Sequence, residues 1–252
     1  MRNPFPATAL LIALLCAGCG GGDSDETGAT TGQAEGRVAS GSVTISGDDR
    51  EAGSLTWTRP EVGKLDEEQA EQAQEQAGEA LDEDRLYDDG DSAIPLYLAL
   101  LDRDADDGSA REGLEKARRR LLEMGDDALS DAGEDFVALR EARRVAAVAR
   151  TVWPDDEEVA AYLQRVDLAD QLWELNRQAE DEIAAGRLGE SGGGAIALLR
   201  QALELSPGQA RAMQNLAAVE SALIRRAELA ADADDFATAN LWLDHAAKVR
   251  PD

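Results

Sequence analysis

A chain that performs chemistry on a substrate needs nucleophiles, acid–base groups, metal ligands or charged clamps at workable spacing, and this sequence offers few. His245 is the single histidine. It stands between Asp244 and Ala246 inside a helical pattern, so it reads as a helix-surface residue rather than as the base of a Ser-His-Asp triad. The runs DDGDS, Asp88 to Ser92, and DRDADDG, Asp102 to Gly108, look like calcium loops. Counting back from each glycine, however, Arg85 and Tyr87 in the first run and Arg103 and Ala105 in the second fall where oxygen ligands are required. Both read as solvated loops. GESGGGA, Gly189 to Ala195, is rich in glycine, yet no Lys-Ser/Thr pair follows it and no strand pattern precedes it. It reads as a hairpin turn. No catalytic residue, metal ligand or cofactor is therefore assigned, and no enzymatic activity is expected.

Two features suit binding better than catalysis. Arg118, Arg119, Arg120, Arg140, Arg143, Arg144 and Arg150 make a local basic cluster in an acidic protein. Pairing with Glu115, Glu123, Glu134 and Glu141 accounts for them structurally, at about 0.2–0.5 kcal/mol per helical pair; a site for an anionic partner is the functional alternative. Trp153, Trp173 and Trp242 fit packing between helices, or anchoring of a partner in a groove. The formal net charge of −27 excludes nucleic acid and anionic headgroups as partners of the bulk surface.

The two cysteines, Cys16 and Cys19, both lie at the amino end, in LLCAGC. Before them Arg2 supplies a positive end and ALLIALL an apolar run too short to span a bilayer, so residues 1–18 read as a secretion signal. Small Ala17 and Gly18 directly before Cys19 resemble the lipobox of bacterial lipoproteins, with Cys16 standing where that motif usually has Leu. The resemblance implies a diacylglyceryl thioether on Cys19, cleavage before it and an acylated new amino terminus. Gly20 rather than Asp after the lipid site points to the outer membrane, with the protein facing the periplasm. Membrane attachment would then run through acyl chains alone, and the mature domain would have neither thiol nor disulfide.

Residues 19–54 are Gly, Ser, Thr, Asp and Glu-rich, too poor in apolar surface to offset the entropy of ordering, and read as a disordered tether. As a flexible coil, about 35 residues span about 30–35 Å. VTI, Val43 to Ile45, and LTWT, Leu55 to Thr58, either pair as a hairpin or lie against the first helix.

Residues 55–252 make up the repeat domain, patterned as helix after Pro60. AIALLRQALELSPGQARAMQNLAAVESALI, Ala195 to Ile224, contains a helix, a stop and a second helix. Ala195, Leu199 and Ala202 form a small–large–small stripe on which two helices approach closely. Ser206, Pro207 and Gln209 predict a Ser-x-x-Gln capping box opening the next helix. The stripe recurs as Ala93, Tyr97, Leu100; as Ala142, Ala146, Ala149 with Pro154; and as Ala239, Leu243, Ala246 with Pro251. It resembles the second helix and closing proline of tetratricopeptide repeats, which implies an all-α, TPR-like solenoid of helical hairpins that binds protein partners. The leading alanines are 49, 53 and 44 residues apart, against about 34 in the ordinary repeat. The extra length precedes each second helix. Asp155 to Ala185 contains no Pro or Gly, and Val159, Tyr162, Val166, Ala169, Trp173 and Ile183 keep helical steps, so long first helices are expected. Leu65, Ala73, Ala77, Ala80 and Leu81 stripe the first of them; in the next, Ser109 and Glu112 predict a capping box and Leu114, Ala117, Leu121 and Leu122 face inward.

Residues 186–251 also resemble helical-repeat regions that precede formylglycine-generating-enzyme (sulfatase-modifying-factor) domains in some proteobacterial proteins. That likeness implies a regulatory or localising role beside a catalytic domain carried elsewhere, and it brings no catalytic residue with it. The reading that the residues favour is a lipid-anchored envelope adaptor for as yet unidentified protein partners. Phe236, Leu241, Trp242, Leu243 and Val249 leave the last helix with an apolar surface, which self-association, a partner or further sequence is expected to cover.

Overall fold

The computed structural model describes residues 56–190 and 192–250. The signal segment, Cys19, the tether, Val43 to Ile45 and Pro251 lie outside the described residues. Among the described residues eight helices follow one another: α1 Glu67–Asp82, α2 Ala93–Arg103, α3 Gly108–Asp131, α4 Phe136–Val152, α5 Glu157–Ala184, α6 Gly194–Leu205, α7 Ala210–Asp232 and α8 Phe236–Ala246. Among the described residues there is no strand, and no helix is long and apolar enough to cross a membrane. The described part of the chain is all-α.

The helices alternate in length. α3, α5 and α7 have 24, 28 and 23 residues, whereas α2, α4, α6 and α8 have 11, 17, 12 and 11. Each helix packs on the next, and α1 also meets α3, α3 meets α5 and α5 meets α7, while no two short helices touch. The long helices thus form one layer, and each short helix packs on its sequence neighbours.

Two kinds of turn recur in this arrangement. After α1, α5 and α7 the chain turns through a left-handed residue, Asp84, Gly186 or Asp234, with φ of 59°, 73° and 60°. In each, the following amide reaches back across the turn: Arg85 N–H to Ala80 O, Arg187 N–H to Glu182 O, and Asp235 N–H to Ala230 O, all at 2.9 Å. This is the Schellman closure, and its accompanying bonds Asp84–Leu81, Gly186–Ile183 and Asp234–Ala231 are also present. After α2, α4 and α6 the connection is shorter. Asp104, Trp153 and Ser206 close the helix, and Asp107, Asp156 and Gln209, three residues on, open the next. The loops from Arg85 to Ile94 and from Arg187 to Ile196 share a further pair of bonds, Ala93 N–H to Arg85 O with Ile94 N–H to Leu86 O, and Ala195 N–H to Arg187 O with Ile196 N–H to Leu188 O. Leu86 and Leu188 are buried beneath them.

That geometry corrects two expected caps. Ser206 ends α6 instead of opening α7, because its amide takes the last carbonyl bond, to Ala202 at 2.9 Å. The Gln209 side chain then accepts from Ala212 N–H at 2.6 Å. Ser109 likewise lies inside α3, whose first free amides, Ser109 and Ala110, donate to Asp107. Aspartate opens five helices, through Asp66, Asp107, Asp135, Asp156 and Asp235. Its carboxylate both accepts amide bonds and faces the positive end of the helix dipole.

The small–large–small stripes are buried as expected: Ala93, Tyr97 and Leu100; Ala142, Ala146 and Ala149; Ala195, Leu199 and Ala202. Leu243 is the departure, at 47 % exposed between buried Ala239 and Ala246; no described helix follows α8 to cover it. Small residues on the long helices complete the contacts. A Cβ at Gly113 would overlap the ring of Tyr97, and one at Gly125 the ring of Tyr162. Tyr162 is fully buried and its hydroxyl donates to Ala142 O at 2.8 Å. At the amino end, Thr56 to Thr58 is not a strand; Trp57 packs on the core and its Nε1 donates to Tyr87 O at 3.1 Å.

The core falls into two clusters. One joins α1 to α4 with the first half of α5, through Val159, Tyr162 and Val166; the other joins the second half of α5, through Ala179, with α6 to α8. The continuous helix α5 belongs to both. Leu199→Ala, in a fully buried stripe position, should lower stability by about 2–5 kcal/mol. The same change at the register-equivalent but exposed Leu243 should stay within about 0.5 kcal/mol, and urea denaturation of the two variants side by side measures the contrast.

Candidate protein-interaction surface

The long-helix layer is not uniformly sealed. α3 and α5 meet closely where Tyr162 lies on Gly125. Beyond that contact they enclose an open groove of about 390 Å³, floored by Leu129, Leu168, Ala169 and Leu172 and rimmed by Asp126 and Arg165, which pair with each other. The volume falls within the range of about 300–1,000 Å³ typical of ligand sites. Leu168 is 37 % exposed and Met213, one turn beyond the α7 cap Gln209, is 50 % exposed. Its floor offers apolar contact, and Ser130 joins Asp126 and Arg165 in its lining.

Beside it, the joint between the two core clusters is polar and aromatic. Arg211, from α7, clasps Glu180 of α5 with Nε to Oε1 and Nη2 to Oε2, both at 2.8 Å. Its guanidinium carbon lies 4.1 Å from the centroid of the Trp173 ring. Trp173 in turn meets Phe136 of α4, with centroids 5.3 Å apart, and Arg143 lies 5.6 Å over Phe136 while donating to Asp170 at 2.7 Å. The order Arg143, Phe136, Trp173, Arg211 is a stack across α4, α5 and α7. Each cation faces a ring and is neutralised by a carboxylate, which makes the stack a structural joint rather than an anion trap. Arg211 Nη1 is buried without a hydrogen-bond acceptor among the described residues, and the indole contact compensates it. The Arg211 bonds hold the Glu180 carboxyl below its ordinary pKa, with Asn215 Nδ2 adding a bond of 3.1 Å. Fully buried Asn176 donates to Leu172 O and to Gln209 Oε1, at 2.8 and 3.2 Å, and so ties the α7 cap to α5.

The arginine cluster does not converge on one site. Arg118 bridges α3 to the start of α5, donating to Glu158 at 2.6 Å and Asp156 at 3.1 Å, as well as to Glu115. Arg120 reaches Asp84 at 2.8 Å and Glu123 at 3.2 Å, and Arg144 pairs with Glu141. Arg119, Arg140 and Arg150 are exposed. Of the expected pairings, those with Glu115, Glu123 and Glu141 are present within their own helices, and Glu134 has no ion pair among the described residues; the contacts from Arg118 to Asp156 and from Arg120 to Asp84 tie successive elements together. Trp153 packs at the edge of the first core cluster, and Trp242 at the edge of the second, with Arg226 over its ring at 4.9 Å and His245 beside it at 5.8 Å. The acidic loops have local work: Asp89 accepts from Asp91 N–H and the Ser92 hydroxyl, and Asp104 from Asp106 N–H. Gly189, Gly192 and Gly194 turn the chain between α5 and α6 with positive φ. Asn176, Glu180 and Arg211 escaped the sequence reading, in which Gln209 figures only as part of a capping box with Ser206. Asn176 had left a signal, as a polar residue three steps beyond Trp173 on an otherwise apolar stripe.

Comparison of the chain with protein-family models, with curated proteins and with solved structures yields no match. The tetratricopeptide and sulfatase-modifying-factor likenesses accordingly stay at the level of motifs.

Arg211→Leu should remove the clasp on Glu180 and cost about 1–2 kcal/mol at neutral pH, a modest figure because the Glu180 side chain is 41 % exposed. The depressed Glu180 pKa stabilises the fold above the unfolded value of about 4.3 and ceases to do so as pH falls through the folded value. The difference between wild type and variant should therefore shrink below about pH 4, which urea titrations at neutral and acid pH would read.

Proposed function

We propose that the chain is a lipid-anchored adaptor of the bacterial envelope, a TPR-like solenoid of helical hairpins held to the outer membrane through Cys19 and presenting its long-helix layer to protein partners. The observation that carries the reading is the alternation itself: long helices stack on long helices, and short ones pack only on their sequence neighbours. Stacked hairpins of this kind build extended surfaces whose purpose is contact with other proteins. The recurring turns after α2, α4 and α6, with their stripes in register, support a repeat origin. The groove at Leu168 and Leu172 supplies an apolar patch for a partner side chain, and the tether gives the domain reach above the headgroups. The LLCAGC motif supports acylation.

Mass spectrometry of the mature amino terminus should find an acylated Cys19, and Cys19→Ala should move the protein from the membrane to the soluble fraction. In intact envelopes a photo-crosslinking residue at Leu168 should capture one defined protein, whereas the same probe at Val137, which is 60 % exposed on α4, should not. An unlipidated amino terminus would overturn the anchoring. Equal capture at both positions would overturn the use of the long-helix layer.

A further inference from the structure

We propose that the α7–α8 end of the array is a self-association face, on which α7 and α8 of one copy pack against α7 and α8 of a second. The first observation is exposure. Phe236, Leu241 and Leu243 on α8 are 62 %, 52 % and 47 % exposed, and Leu229 near the end of α7 is 69 % exposed. Phe236 and Leu243, seven residues apart, share one side of α8, while Leu241 lies on the other, and an exposed apolar pair of this size marks a contact surface.

The second observation is register. The stripe position of Leu243 is occupied in the other short helices by Tyr97, Ala146 and Leu199, each no more than 3 % exposed. Each of these helices packs on both the helix before it and the helix after it, whereas α8 packs on α7; Tyr97, for example, seats on Gly113 of α3. Phe236, three residues before its leading alanine, corresponds to Leu139 of α4, which is fully buried. The end thus presents a surface of the kind that elsewhere in the molecule is covered by a packed helix.

The third observation selects the occupant. Residues 210–250 contain six acidic and five basic side chains, one net negative charge out of the 27 that the chain carries. Elsewhere two copies oppose each other electrostatically; at this end they do not. The fringe also carries both signs. Arg225 on α7 and Lys248 just past the end of α8 accompany Glu228, Asp232 and Asp244, and none of these has an ion pair among the described residues. A two-fold contact, in which one patch meets its own copy, requires such mixed charge around an apolar centre. A strongly basic partner would find little here to attract it.

The inference rests on the exposure and charge of α7 and α8, not on acylation or on the groove, so its failure would leave the adaptor reading untouched. The test is sedimentation velocity on the full chain carrying Cys19→Ser, which removes the acylation site and the need for detergent. Over about 1–200 µM the protein should show a reversible monomer–dimer equilibrium. Phe236→Ser and Leu243→Glu, both at exposed positions, should keep the helical circular dichroism and weaken the dimer by at least about tenfold. Val137→Glu on α4 should leave it unchanged. Should Leu243→Glu lose helix content, Phe236→Ser decides. Raising salt should alter the dimer constant little, since the contact is nearly neutral, whereas a dimer formed through the acidic body would tighten as repulsion is screened. A monomer at every concentration, a dimer indifferent to Phe236→Ser, or one that tightens steeply with salt would overturn the proposal.

Discussion

The array depends on helices coming close enough for a ring on one to lie against bare backbone on another. Tyr162 of α5 sits over Gly125 of α3, and Tyr97 of α2 over Gly113 of the same helix. With 4 % aromatic residues the chain has few large side chains with which to fill a core. It compensates by bringing helix axes together along alanine stripes and placing its rings where glycine leaves room. Ring and backbone in contact recover the dispersion energy that a loosely packed alanine core would forfeit. α3 then serves as the member to which α2, α4 and α5 are all fitted.

The strong acidity is handled locally. Carboxylates open helices as caps at Asp66, Asp107, Asp135, Asp156 and Asp235, and pair with arginines that cross from one element to another, as Asp84 does with Arg120, Asp156 with Arg118 and Glu180 with Arg211. Individually such surface pairs are weak. Their value here is positional, because they span successive units. The joint between the two core clusters is where this matters most: the apolar core gives way there to the Arg143–Phe136–Trp173–Arg211 stack, and α5 runs through it unbroken.

Much of the fold was legible in the sequence, for physical reasons. A stripe at steps of four and three is a one-dimensional record of a helix face, so Ala93, Ala142, Ala195 and Ala239 located four helices and their inward sides. The absence of Pro and Gly from Asp155 to Ala185 likewise foretold the length of α5. Caps were less legible because several residues within two or three positions can cap. Ser109 and Asp107 compete, and only the position of the first free amide decides between them. The glycine seats and the Asn176–Gln209–Ala212 connection were illegible, since they join residues whose proximity depends on how helices cross. Leu243 was misplaced for the same reason: its own helix predicts an inward position, and its exposure is set by what packs on top.

The claim that ring-on-glycine contacts set the helix spacing is tested most directly at Gly125. Alanine is the better helix former there by about 1 kcal/mol, and Gly125 lies well inside α3, so local propensity alone predicts a more stable Gly125→Ala variant. The packing account predicts the reverse. The added methyl must displace a fully buried Tyr162 ring whose hydroxyl is held by Ala142 O, and overpacking of this kind costs about 1–3 kcal/mol. Urea denaturation of Gly125→Ala should therefore show a net loss of stability, and a variant as stable as wild type or more so would contradict the account.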